Sequence, residues 1–166
     1  MQGTINILPV LTCLLLIVVA NGAPVLAARI LGKRFAWRLD GGIRFFDERP
    51  LLGPSKTLRG VFAAILATAL VSVAIGVPLR IGVLVAVWAM IGDLLSSFVK
   101  RRLGMAPSSM ALGLDQGLES LLPLLAVRSY FGLSFPQVLA TMLVFLVLEL
   151  ALSYILFKLH IRKRPY

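Results

Sequence analysis

The chain has 166 residues, 59% of them hydrophobic and only 14% charged, with a mean hydropathy of +0.95. Soluble domains carry about 25% charged residues, and a soluble fold of this length has too little interior to hide so much apolar surface, which lipid can solvate from outside. The net charge of +10 does not point to nucleic acid, because the basic residues fall between apolar runs, where they suit positive-inside anchoring and anionic ligands.

The first apolar run covers residues 5–30 and includes Leu14-Leu15-Leu16-Ile17-Val18-Val19. It lacks a basic leading region and is too long for a signal-peptide core, so it reads as a membrane span. The single cysteine, Cys13, lies inside it, which rules out an intrachain disulfide. Asn21-Gly22-Ala23-Pro24 interrupts the run; Pro24 can kink it and Asn21 can hydrogen-bond across helices. A polar, basic loop follows over 31–59. The second run, 60–77, turns at Gly76-Val77-Pro78 into the third, 79–98, which ends in Lys100-Arg101-Arg102. After a loop over 99–114 comes the weakest run, 115–130, which carries Glu119 and Pro123. The fifth, 135–159, is long enough to cross with some tilt. No segment alternates like a barrel strand, and in lipid the backbone must satisfy its own hydrogen bonds. The expectation is an all-α integral membrane protein, a single membrane domain over 1–166 with about five transmembrane helices.

Charge placement tests the count of five. With five crossings, the loops 31–59 and 99–114 share a side with the C-terminal tail, and together they hold fourteen Lys and Arg residues. The opposite side receives only Arg80 and Arg128, with Arg29 inside the end of a span. That asymmetry places the loops in the cytoplasm of a multi-pass cell-membrane protein, with the N-terminus outside and the C-terminus cytoplasmic.

Several polar residues exceed what an anchor needs. Asp93 lies deep in the third run, and at about 100° per residue it shares a helix face with Ser96, Ser97 and Lys100. An ionised carboxylate in a span costs ~2.5–3.5 kcal/mol on insertion scales, so it faces a wet or paired interior. Two readings stand: an Asp93–Lys100 ion pair that finishes a helix, or a carboxylate that holds a cation beside a hydroxyl and a lysine, which together make a phosphate site. Asp115, with Gln116 beside it and Glu119 one turn on, either caps the fourth helix or faces Asp93 and completes a metal site. The clustering of Asp93, Asp115 and Glu119 near span ends, among only seven acids in the chain, favours the second. Glu149, deep in the fifth run, reads as a partner for Arg29, an interhelical hydrogen bond or a protonated acid, and is not assigned to the site. Gly53-Pro-Ser-Lys-Thr-Leu-Arg-Gly60 leads into the second run. It offers glycines, hydroxyls, Lys56 and Arg59 to a polyphosphate, or serves as an ordinary basic flank; it lacks P-loop spacing. Upstream, Phe45 and Phe46 sit among charges and suit the membrane interface. His160 reads as a surface residue.

Together, Asn21-x-x-Pro24, Asp47-x-Arg49-Pro-Leu-Leu-Gly53, Lys56-Thr-Leu-Arg-Gly60, Gly92-Asp93-x-x-x-Ser97-Phe-x-Lys100-Arg-Arg102 and Asp115-Gln116 resemble the CDP-archaeol synthase family, related to phosphatidate cytidylyltransferase. The resemblance covers about residues 21–119. The chain lacks the His-Gly-Gly-x-x-Asp-Arg-x-Asp ending of the larger phosphatidate enzymes and has Leu58 where the archaeal pattern favours Trp. The resemblance implies transfer of CMP from CTP to a phosphate-headed lipid of archaetidic or phosphatidic acid type, giving a CDP-lipid and pyrophosphate for phospholipid biosynthesis. It implies that Asp93 and Asp115 bind Mg²⁺ and that Lys100 and Arg101 stabilise phosphate oxygens. Ser97 would donate a hydroxyl, Lys56, Thr57 and Arg59 would hold the triphosphate or the lipid phosphate, and Arg102 and Gln116 would complete the substrate contacts. The alternatives are a non-catalytic protein that binds anionic lipid, or a small transporter subunit. A homo-oligomer is compatible with so thin a bundle around so polar a site.

Overall fold

The computed structural model describes residues 7–107 and 109–160. Among them are five helices: α1 (Leu8–Leu31), α2 (Leu58–Ala74), α3 (Leu79–Arg102), α4 (Leu114–Phe131) and α5 (Phe135–Lys158). The fold is an all-α membrane bundle. Helices α1, α3 and α5 are each 24 residues, about 36 Å at 1.5 Å per residue, and are long and apolar enough to cross a bilayer; α2 is a shorter apolar helix.

Local chemistry sets the helix ends. Thr57 caps α2, its hydroxyl accepting the Gly60 amide at 3.3 Å, so Leu58 and Arg59 belong to the helix rather than to the loop before it. Helix α3 continues through Lys100-Arg101-Arg102, four residues past the apolar run, because cations in a last turn complement the helix dipole. Gly113 precedes α4 with φ +84°, and the Gln116 amide oxygen accepts its N–H at 2.9 Å. Ser134 and Gln137 form a reciprocal capping box at the start of α5.

Helix α3 is the centre of the bundle and packs on α1, α2 and α4, while α5 packs on α1 and α4. Away from the long loops the core is apolar, with Leu16, Ile17, Val85, Leu124, Val127 and Phe145 almost wholly buried. Toward the loops small residues let the backbones close up. Ala20, Ala86 and Ala89 pack together, and a Cβ on Gly92 would run into the Leu118 carbonyl of α4. The outer faces carry exposed apolar side chains such as Phe62, Leu66, Leu143 and Val147, as a lipid-facing surface requires.

The segment between α1 and α2 folds back on itself through isolated bridges, Arg38 with Thr57 and Arg44 with Pro50. Leu39 N–H donates to the Lys56 carbonyl at 2.9 Å and Leu58 N–H to the Trp37 carbonyl at 3.0 Å. Asp40, 6% exposed, ties the fold-back together by accepting N–H groups from Gly42, Leu52 and Gly53 at 2.9–3.0 Å. Of the two aromatics expected at the interface, Phe46 is 97% exposed. Phe45 instead packs edge-on against Phe98 of α3 at 5.3 Å between ring centroids.

Candidate active site

A cavity of about 760 Å³ lies at the end of the bundle where the loops meet the helices, and all five helices contribute to its wall. Four acids line it (Asp93, Asp115, Glu119, Glu149) and three cations (Arg29, Lys56, Lys100). Two ion pairs dominate. The Lys56 ammonium lies 2.5 Å from Asp93 Oδ1. The Lys100 ammonium lies 2.8 Å from Asp115 Oδ1 and 2.9 Å from Oδ2, and it donates to the Ser109 carbonyl at 3.0 Å. Asp115 also accepts the Ala111 amide at 2.9 Å. Lys100 and Asp115 are each under a tenth exposed, so neither charge is held without the other.

The local sequence explains the placement. Thr57 caps α2 and the Arg38–Thr57 bridge fixes the strand-like approach before it, so Lys56 is delivered at the helix entrance and reaches α3. Asp93 follows Gly92, whose missing side chain brings α3 and α4 together, and Glu119 of α4 lines the same cavity across that contact. Lys100, two turns beyond Asp93, faces the start of α4 and takes Asp115 rather than Asp93. The Asp93–Lys100 pair, one of the two readings of that helix face, does not form; two pairs that each join separate segments stand in its place.

Of the residues singled out in the sequence, the structure brings Lys56, Thr57, Asp93, Lys100 and Asp115 to the cavity wall. Ser97, Arg59, Arg101, Arg102 and Gln116 are not on it. Arg59 donates to the Gly32 carbonyl at 2.9 Å and the Arg34 carbonyl at 2.6 Å, stapling the end of α1. Arg101 donates to the Ala106 carbonyl at 2.9 Å and lies over Gly53. Arg102 pairs with Asp47 at 2.9 Å, donates to the Pro50 carbonyl at 2.6 Å and stacks on Phe45 at 4.7 Å. Ser97 is buried, and Gln116 is occupied as a cap.

Two charged wall residues have no part in the site read from the sequence. Glu149, not assigned to the site from sequence, lines the cavity, because the i, i+4 stripe Thr141, Phe145, Glu149 of α5 turns inward and buries Thr141 and Phe145. That spacing was the available signal. Arg29, in the last turn of α1, is the other.

The donor set suits a divalent cation shared with substrate. Among the described residues no three His, Cys, Asp or Glu side chains converge into a ready-made cage. Mg²⁺ does not need one, since it is held by one or two carboxylates together with phosphate oxygens and water.

A family model described as CarS-like, CDP-archaeol synthase, matches residues 74–166, which include Asp93, Lys100 and Asp115. The chain is 38% identical to a CDP-archaeol synthase of Pyrobaculum calidifontis, over 89% of this chain and 91% of that protein. It is 41% identical to one of Hyperthermus butylicus over 58% of each. Among solved structures, an intramembrane enzyme for archaeal membrane lipids biosynthesis superposes with a TM-score of 0.76 at 30% identity, covering 89% of this chain and 94% of the other.

Proposed function

The chain belongs to the CDP-archaeol synthase family, and on that premise we propose that it transfers CMP from CTP to the phosphate of an isoprenoid ether lipid. A lipid phosphate oxygen attacks the α-phosphorus of CTP. The new P–O bond forms as the bond from the α-phosphorus to the α–β bridging oxygen breaks, and pyrophosphate leaves. The attacking oxygen already carries negative charge, so no protein nucleophile is required, and catalysis consists of positioning and charge neutralisation. The observation that carries this reading is the pair of Lys–Asp contacts on one cavity wall, Lys56–Asp93 and Lys100–Asp115. Each pair holds a phosphate-binding cation and a metal-binding carboxylate in reserve.

Asp93 and Asp115 would hold Mg²⁺, which supplies positive charge to the triphosphate when bound. Lys56 and Lys100, drawn from their carboxylates by the phosphates, neutralise the charge that builds on the leaving pyrophosphate. The start of α2, where Thr57 caps the Gly60 amide, adds the positive end of a helix dipole beside Lys56. Positive-inside charge supports placing this end of the bundle in the cytoplasm, where CTP is available. The test is pyrophosphate release by the purified protein. Release that requires CTP, Mg²⁺ and the lipid phosphate together supports the reading, and release independent of the lipid overturns it.

A further inference from the structure

The three cations on the cavity wall are not equivalent. Lys56 is engaged by Asp93 and Lys100 by Asp115 and the Ser109 carbonyl. Arg29 makes no ion pair and no side-chain hydrogen bond among the described residues. It is also on a different wall. Lys56, Lys100 and their carboxylates gather on α3, α4 and the entrance of α2, while Arg29 projects from the last turn of α1 beside Val25 and Ala28. On either side of it in the sequence, Leu26 is 49% and Ile30 80% exposed, an apolar flank at the bundle surface. One guanidinium beside an apolar helix face matches a molecule with a phosphate at one end and hydrocarbon at the other.

We propose that Arg29 is the residue that binds the phosphate of the lipid acceptor, leaving Lys56 and Lys100 to the nucleotide. This assignment rests on the cytidylyltransferase reading. A planar guanidinium grips a phosphate through two oxygens, and a lipid monophosphate has three that do not bridge to carbon. Two held by Arg29 leave the third free to attack the nucleotide.

The test varies CTP and lipid phosphate separately in initial-rate assays of purified protein in neutral detergent micelles. Arg29→Gln is expected to raise KM for the lipid phosphate by about tenfold or more, the loss of a charge-assisted contact. KM for CTP should stay within about twofold, and Arg29→Lys should fall between wild type and Gln. Inorganic phosphate should inhibit wild type competitively against the lipid and lose that potency in Arg29→Gln. This arm separates recognition of the phosphate from recognition of the lipid as a whole, because inhibition unchanged by the substitution assigns the phosphate elsewhere and overturns the proposal. An active wild type whose lipid KM is unchanged in both variants, or whose CTP KM rises instead, also overturns it. An effect of Arg29→Gln seen only in anionic bilayers and lost in neutral micelles assigns Arg29 to bulk headgroups, against the proposal. A wild type with no CTP-dependent pyrophosphate release overturns the cytidylyltransferase reading itself. Arg29→Lys keeps the test decisive if Arg29→Gln does not fold.

Discussion

Lys56 and Asp93, 37 residues apart in the chain, meet at 2.5 Å on the wall of the cavity. Neither is fully buried, so the contact can open, and its two charges are those that a phosphate and a divalent cation would each seek. Removing the lysine therefore has opposite effects on the two ligands. Lys56→Met is expected to lower kcat/KM for CTP by about a hundredfold, the scale of one lost phosphate contact in a site excluded from water. The same substitution should tighten binding of Mn²⁺ in the absence of nucleotide, because Asp93 no longer has a competing cation. Electron paramagnetic resonance of Mn²⁺ titrations reads the second effect. Metal affinity that does not rise in Lys56→Met would show that the ion pair is not what the metal must displace.

The Lys100–Asp115 pair is more deeply buried, with both side chains under a tenth exposed. Breaking such a pair from one side strands a charge and costs about 3–5 kcal/mol. Lys100→Met and Asp115→Leu alone should each lower the thermal midpoint in detergent. The double substitution, which removes both charges, should recover most of the loss while leaving the protein inactive. Thermal unfolding of the four proteins gives the comparison, and a double variant as unstable as either single one would contradict it.

Gly92 is where α3 and α4 approach most tightly beside the site. Gly92→Ala drives a methyl group into the Leu118 carbonyl and the Glu119 amide, backbone atoms that cannot swing aside as a flexible side chain would. Separation of the helices there would pull Glu119 from Asp93. The expected outcome is loss of activity together with about 1–3 kcal/mol of stability, the cost of an overpacked core, read as a lower thermal midpoint. Gly117→Ala, where a Cβ meets nothing within 4 Å, is the control and should be tolerated.

Much of this architecture is legible in the sequence, and the reason is solvent. Runs of apolar residues too long for a soluble core define the helices, and lysine and arginine clustering defines the loops. Asp93 and Asp115 are conspicuous because acids are rare in such a chain. Pairing is harder to read. The face shared by Asp93 and Lys100 is real, but which partner each takes depends on how α3 meets α4 and where the first loop delivers Lys56. Arg102 looks like a phosphate ligand by type and neighbours, yet Asp47, Pro50 and Phe45 claim it from a loop more than fifty residues upstream. Glu149 carries a helical signal, the Thr141–Phe145–Glu149 stripe, that only becomes a site once α5 is packed against α1 and α4.

Asp40 gives the loop a pH dependence. Its burial favours the neutral acid, but N–H donors from Gly42, Gly53 and Leu52 and the nearby Arg38 guanidinium outweigh that and hold its carboxyl below the ordinary value. A lowered folded-state pKa stabilises the fold above the unfolded value of about 3.9, and that contribution is lost as pH falls through the lower folded value. Asp40→Ala should therefore destabilise the protein at pH 7 and open the first loop to limited proteolysis. The gap from wild type should shrink as the pH drops below about 4. Thermal unfolding across that range checks the sign, and a gap that widens in acid would refute it.

The central claim is that the cavity holding Asp93 transfers CMP to a lipid phosphate. Its most direct test is incorporation of label from CTP, carrying ³²P at the α-position, into lipid by purified protein in micelles containing an isoprenoid ether lipid phosphate. A fatty-acyl ester lipid phosphate runs in parallel. The account predicts labelled CDP-lipid with the ether acceptor, formed in step with pyrophosphate, abolished by EDTA, and absent from Asp93→Asn protein that keeps its helical circular dichroism. Wild-type protein that labels neither lipid, or Asp93→Asn protein that labels at the wild-type rate, would contradict it.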